Sequence, residues 1–148
     1  MTGKNLKMLK GLYILSKDSF DKIYGPEERE DIARLADIYA PLQSGDVAKT
    51  RPDILKDADI ILSGWGAPRL DAAFLAAAPR LKAMFYGAGS VKGLATPEMW
   101  ERGIIVASAW GANAIPVAEF TLSQILFCLK QGWRHALEMK NRTRRRRD

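Results

Sequence analysis

The chain of 148 residues contains one cysteine and one histidine, and each scarcity removes a class of chemistry. A lone Cys128 cannot close an intramolecular disulfide, so no disulfide scaffold holds this fold. One Cys and one His also fall short of the ligand set of a structural zinc site, and no metal-ligand spacing occurs. His135 has no acid in a recognisable arrangement beside it and reads as a surface residue rather than a general base. No nucleophile stands with an evident base. The N-terminal MTGKNLKMLKGLYILS places two basic clusters before a short apolar stretch, and LSKDSF follows where an export signal would have small residues. No apolar run approaches the length of a membrane span. Together these absences point to a reducing, cytoplasmic setting, with Cys128 in the run ILFCL expected as a buried structural thiol.

A hydrophobic content of 47% is enough for one domain with a core of its own. The net charge of +6 does not describe that domain. Residues Arg134 to Asp148 hold seven Lys/Arg against two acids, a net of +5, leaving about +1 for the other 133 residues. A tract such as RTRRRR can grip phosphates, but no aromatic or groove-entering helix is interleaved with it. It is expected as a solvated, frayed helix end, and nucleic acid is not an expected partner.

Apolar runs alternate with helical patterns along the chain. GLYILS suits a buried strand. GPEEREDIARLAD follows as a helix, with Pro26 at the first helical position and the apolar Ile32, Leu35 and Ala36 at helical spacing. IYAP is a short strand, Asp53 to Lys56 a helical segment, Asp59 to Ser63 the third strand, and LDAAFLAAAP a helix ending before Pro79. LKAMFY makes the fourth strand. TPEMWERG is a helix capped by Thr96 and ended by Gly103, and IIVASAW is the fifth strand. This α/β pattern predicts a parallel sheet with helices on both faces. The loops at the carboxyl ends of its strands are then Ser16–Ser19, SGWGAP, YGAGSVKG and SAWGAN, three of them rich in glycine.

YGAGSVKG is not a dinucleotide fingerprint. Its third glycine, Gly93, comes one residue late, the next helix signal waits until Thr96 and Pro97, and the following strand ends without an acid to hold a ribose. The turn is either a bare Gly-rich turn or a nest of backbone N–H groups for an anion such as a carboxylate. The first strand ends in Ser16-Lys17-Asp18, without the acidic cluster of a receiver-like phosphosite.

ADIILSGWG, LDAAFLAAAPRLKAMFYGAGSVKG and TPEMWERGIIVASAWGANAIPVAEFTLSQILFCLKQ, in this order, resemble the substrate-binding domain of the D-isomer-specific 2-hydroxyacid dehydrogenases, the family of phosphoglycerate and glyoxylate/hydroxypyruvate reductases. The resemblance spans about residues 10–135, and the succession of G-x-G turn, G-I-x-V strand and P-V-A-E helix is its most specific part. It implies a flavodoxin-like domain over residues 1–110, then a connecting helix and basic tail over 111–148. The Rossmann domain that binds NAD or NADP is not among these residues.

In the family, turn amides hold the carboxylate of a 2-hydroxy or 2-keto acid, which maps to Ala88 and Gly89, flanked by Gly87 and Ser90. Trp65 and Gly66 are candidates for the cleft wall, with simple packing an equal reading of Trp65. Asn113 is a candidate cleft residue and Glu119 a structural one. Where the family often has an Asp-Asn or Asp-His pair after the turn, Val91 and Lys92 stand here, so those hydrogen bonds are replaced by a cation that can attract an acidic substrate.

The family's catalytic Arg, acid and His lie in the Rossmann domain, so no catalytic, cofactor or metal residue is assigned and these 148 residues alone are expected to be inactive. The implied activity is hydride transfer between NAD(P) and the acid. A stand-alone flavodoxin-like module that binds a small acid without catalysis is the alternative. The apolar residues from Ile115 to Leu129 leave little polar surface, so this helix is expected to be covered on most sides. In the family it packs between the two domains; without the second domain, the 113–133 helix is expected to drive self-association. No membrane partner is expected.

Overall fold

A computed structural model describes residues 8–145. Residues 1–7 and 146–148 lie outside the described residues, and with them part of the N-terminal reading and Arg146 and Arg147 of the basic tract. The elements run β1 (Leu9–Ile14), α1 (Lys17–Ile23), α2 (Pro26–Leu35), β2 (Ala36–Ile38), α3 (Val47–Thr50), a 3-10 turn (Pro52–Leu55), β3 (Ile60–Ser63), α4 (Ala72–Ala77), β4 (Ala83–Tyr86), α5 (Pro97–Glu101), β5 (Ile105–Ser108), α6 (Trp110–Leu129) and α7 (Gly132–Arg145). All strand pairs are parallel, in the order β2-β1-β3-β4-β5. That is an α/β fold with the flavodoxin-like strand order.

Register assigns each strand residue to a face. One face carries Leu12, Ile61, Met84 and Val106 in a row across the sheet. It is packed by Val47 of α3, Leu55 of the 3-10 turn, Phe74 and Leu75 of α4 and Met99 of α5, which form the main core. The opposite face carries Tyr13, Leu62, Phe85 and Ala107 in one row and Gly11, Ile60, Ala83 and Ile105 in the next. There Phe20 and Ile23 of α1 and Ile32 of α2 pack on Tyr13 and Leu62. Helices therefore lie on both faces, as the near-continuous apolar strands require.

Local signals set several ends. Pro26 and Pro97 open α2 and α5, where a missing N–H costs nothing. The Asp71 carboxylate accepts from the Phe74 N–H at 2.9 Å, and the Thr96 hydroxyl accepts from Met99 N–H while donating to the Leu70 carbonyl at 2.6 Å. Gly103, at φ +68°, ends α5.

Four expectations about element positions are corrected. The expected loop Ser16–Ser19 gives way at Lys17 to helix α1 (Lys17–Ile23), and α3 was not anticipated. The second strand is Ala36–Ile38 rather than IYAP, so Ala36 is a strand residue and α2 buries none of its side chains; Leu35 is 78% exposed. SAWGAN is no loop, because α6 begins at Trp110. The 113–133 helix is broken at Lys130–Gln131, where Gln131 takes φ +54°.

The chain divides into two compact units, Met1–Trp110 and Gly111–Asp148. In the second, Phe127 and Trp133 meet edge to face at 5.1 Å across the α6–α7 break. A side chain at Gly132 would fall 2.4 Å from the Phe127 ring, so glycine is what lets the ring lie there. No residue of α6 is buried, and Cys128 is exposed. The covered helix and the buried thiol are both corrected: an apolar sequence creates the demand for cover but does not supply it. The membrane-length expectation is corrected too, since α6, at 20 residues with mean hydropathy 1.4 over its best window, is long and apolar enough to cross a bilayer. Length and composition alone assign it no membrane role.

Candidate functional site

The carboxyl ends of β1, β3 and β4 form a rim where three loops meet. The Ser16 N–H donates to the Trp65 carbonyl at 2.9 Å, tying the loop after β1 to the loop after β3. Gly66 makes this approach possible. Its φ of +87° is open to glycine, and a Cβ there would sit 2.7 Å from the Ser16 nitrogen. The Gly87 N–H donates to the Ser63 carbonyl at 2.8 Å, which ties the loop after β4 to β3.

Helix α1, absent from the sequence reading, explains two of the rim glycines. A Cβ at Gly64 or at Gly87 would each fall 2.3 Å from a carbon of Ile23. Ile23 thus sits over both positions, and a side chain at either would have to displace it. Next to it, the Tyr24 hydroxyl donates to the Ser63 carbonyl at 2.8 Å and lies 3.3 Å from the Phe85 carbonyl. Burial, with Tyr13 beside it, pushes the Tyr24 hydroxyl far above its ordinary value, so it stays a neutral donor. These bonds pin β3 and β4 together where the turn leaves the sheet.

After Gly87, the backbone ties of the turn resume at Val91, whose carbonyl receives the Leu94 and Ala95 N–H groups at 3.1 and 3.0 Å. Among the described residues, the backbone N–H groups of Ala88, Gly89 and Ser90 have no acceptor. Ala88 is fully buried, Gly89 half-buried and Ser90 exposed. Ser90 Oγ receives the Lys92 N–H at 3.4 Å, and the Lys92 side chain is exposed, with no ion pair among the described residues. Unpaired amides at the edge of a buried residue are costly unless something meets them, and chemically this stretch can accept an anion or ordered water.

The other predicted residues divide. Trp65 is 49% exposed on the rim and so is not a core residue, and Gly66 lies beside it. Asn113 is half-buried within α6, in the second unit, and not in a loop. His135 is exposed in α7, its Nδ1 3.9 Å from Glu138.

The described residues do not fit a dinucleotide. α5 starts at Pro97, well after Gly89, and β5 ends in Ser108 where an acid would hold the ribose. No group of three or more His, Cys, Asp or Glu that could hold a metal occurs among the described residues.

Sequence reasoning also missed a pocket of about 300 Å³ on the same rim, lined by Lys49, Arg69, Asp46 and Asp71 among others. Its signal was present, since Lys49 and Arg69 follow carboxyl-end loops. The two acids offset the two cations, and Asp71 is committed to capping α4. Comparison with protein-family models and with curated proteins finds no match for this chain.

Proposed function

We propose that residues 1–110 bind the carboxylate of a small 2-hydroxy or 2-keto acid, as the substrate-binding portion of an NAD(P)-dependent dehydrogenase of the D-isomer-specific type. One observation carries the reading: three successive amides, Ala88 to Ser90, stand without acceptors at the carboxyl end of β4. A carboxylate oxygen fits such donors, and charge-assisted bonds of this kind are each worth about 1.5–3 kcal/mol. Lys92, exposed two residues on, adds a favourable field for an anion.

The role of this portion is to orient the acid. Two amides on one carboxylate fix its plane and thereby the face of the adjacent carbon that a reactant meets, the entropic part of catalysis. The nicotinamide supplies the hydride when a cofactor domain is present; the described residues offer no place for it, so no step is assigned to them beyond binding and orientation. Activity, cofactor and substrate class all rest on the resemblance of the motif order.

Titration of the ¹⁵N-labelled chain with glyoxylate or hydroxypyruvate tests the reading. Shifts should centre on the amides of Ala88, Gly89 and Ser90 and saturate in the range of about 1 mM, a weak affinity suited to a few hydrogen bonds. Ala88→Pro, which deletes one donor, should lose most of the response while circular dichroism shows the fold retained. Neutral glycolaldehyde should leave these amides unmoved. Shifts centred on Lys49 and Arg69, or equal shifts with glycolaldehyde, would sink the assignment.

A further inference from the structure

The pocket of about 300 Å³ on the rim has walls whose charges do not close on one another. Its volume is at the small end of the range for small-molecule sites. One wall is the start of α3, with Asp46 and Lys49; the other is the lead into α4, with Arg69 and Asp71. Buried Pro68 and Phe74 supply its apolar lining.

Backbone contacts hold both walls in place. A Cβ at Gly45 would run into the Gly66 carbonyl, so glycine there lets the loops after β2 and β3 touch at the edge of the pocket. Leu70, between Arg69 and Asp71, is anchored as well. Its N–H donates to the Leu94 carbonyl at 2.9 Å, and its carbonyl accepts the Thr96 hydroxyl at 2.6 Å.

Each wall carries one charge of either sign, yet none of the four groups has an ion pair among the described residues. Spacing does not explain this. Asp53 and Lys56, three residues apart, close to 2.8 Å, whereas Asp46 and Lys49, the same types at the same spacing, do not. Asp46 Oδ1 takes the Ser44 hydroxyl instead, and Asp71 Oδ1 takes the Phe74 N–H at 2.9 Å. The second oxygen of each carboxylate has no donor among the described residues. Acids and bases in equal number leave the walls neutral overall, so a simple anion loses to Asp46 and Asp71 much of what it gains from Lys49 and Arg69. A ligand that carries both charges gains from all four.

We infer that this pocket binds a free α-amino acid as its zwitterion. The carboxylate lies on Arg69, whose planar guanidinium matches it with two parallel hydrogen bonds, and Lys49 is the second cation. The ammonium, with three donors and no acceptor, lies on the open oxygens of Asp46 and Asp71. An apolar side chain then covers Pro68 and Phe74. The lining shares no residue with the Ala88–Ser90 turn, so the amino acid and the 2-hydroxy or 2-keto acid occupy different places.

Titration of the ¹⁵N-labelled full chain with L-leucine and L-phenylalanine tests the site. At least one should shift the amides of Gly45–Lys49 and Arg69–Ala73 and saturate at about 1 mM. The same side chains on a carboxylate alone (4-methylpentanoate, 3-phenylpropanoate) or on an amine alone (isoamylamine, 2-phenylethylamine) should bind at least about tenfold more weakly. Glyoxylate should leave these amides unmoved whatever it does at Ala88–Ser90. Arg69→Gln and Asp46→Asn, both at exposed positions, should each weaken amino-acid binding at least about tenfold with circular dichroism unchanged, while Lys17→Gln, an exposed rim cation outside the pocket, should not. The site is overturned by no saturable shift with either amino acid, by equal binding of the carboxylate or the amine alone, by full affinity in Arg69→Gln or Asp46→Asn, or by an equal loss in Lys17→Gln.

Discussion

Single glycines at the rim answer to packing and to backbone conformation. Gly64 and Gly87 are glycines because Ile23 occupies the space a Cβ would need, 2.3 Å away in each case. Gly66 is glycine for its φ of +87° and for the nearness of Ser16. The sequence motif was legible, but this reason was not, since Ile23 lies more than forty residues before Gly64 and Gly87. Gly87→Ala should therefore destabilise the fold by about 1–3 kcal/mol, read from the midpoint of urea unfolding, as overpacking of a stiff β-branched neighbour does. Adding Ile23→Ala should recover part of that loss in a double-mutant cycle. Strict additivity of the two changes would show that they do not meet.

Among the elements, strongly patterned segments were read correctly and short polar ones were not. β3, β4, α4 and α5 sit within a few residues of their expected places, because apolar runs and the caps at Asp71 and Thr96 announce them. α1 has the sequence KDSFDKI, with only Phe20 and Ile23 apolar, so it becomes a helix through packing on Tyr13 and Tyr24. β2 begins two residues early because pairing with Leu9 and Lys10 outweighs the helical spacing of Ala36. The α6–α7 break depends on Gln131, whose left-handed conformation strains a residue with a side chain. Gln131→Gly should relieve about 1 kcal/mol of that strain, seen as roughly fivefold slower exchange of the His135 amide, which is bonded to the Gln131 carbonyl. Unchanged exchange would mean that the turn carries no strain.

For the molecule as a whole, one buried acid at the amino edge of the sheet couples three strands. Asp59, 3% exposed, accepts the Lys10 N–H at 3.0 Å and meets Arg80 at 3.0 Å and Lys82 at 3.3 Å. Burial works to raise its carboxyl, but the Lys10 amide and the two cations outweigh it and hold the group below its ordinary value. A depressed folded value means that the stabilisation is complete above the ordinary Asp range, about pH 4, and is lost as pH falls through the folded value. Asp59→Asn should cost about 1–3 kcal/mol at neutral pH. The gap between wild type and variant should narrow below about pH 4, a trend that urea midpoints at several pH values would reveal; a gap constant with pH would show that Asp59 does not carry it.

By itself the sequence determined the alternation of strands and helices, the parallel α/β class and the place of the Gly-rich turn, because periodicity, caps and prolines act within a few residues. Tertiary structure alone decided which glycines serve packing, since that turns on Ile23 of a helix with almost no local signal. It also decided that Cys128 and the whole of α6 stand exposed. Hydrophobicity states what a segment needs to cover it. Whether the cover is present depends on where the connections between strands send the remaining helices, and that is a property of the assembled fold.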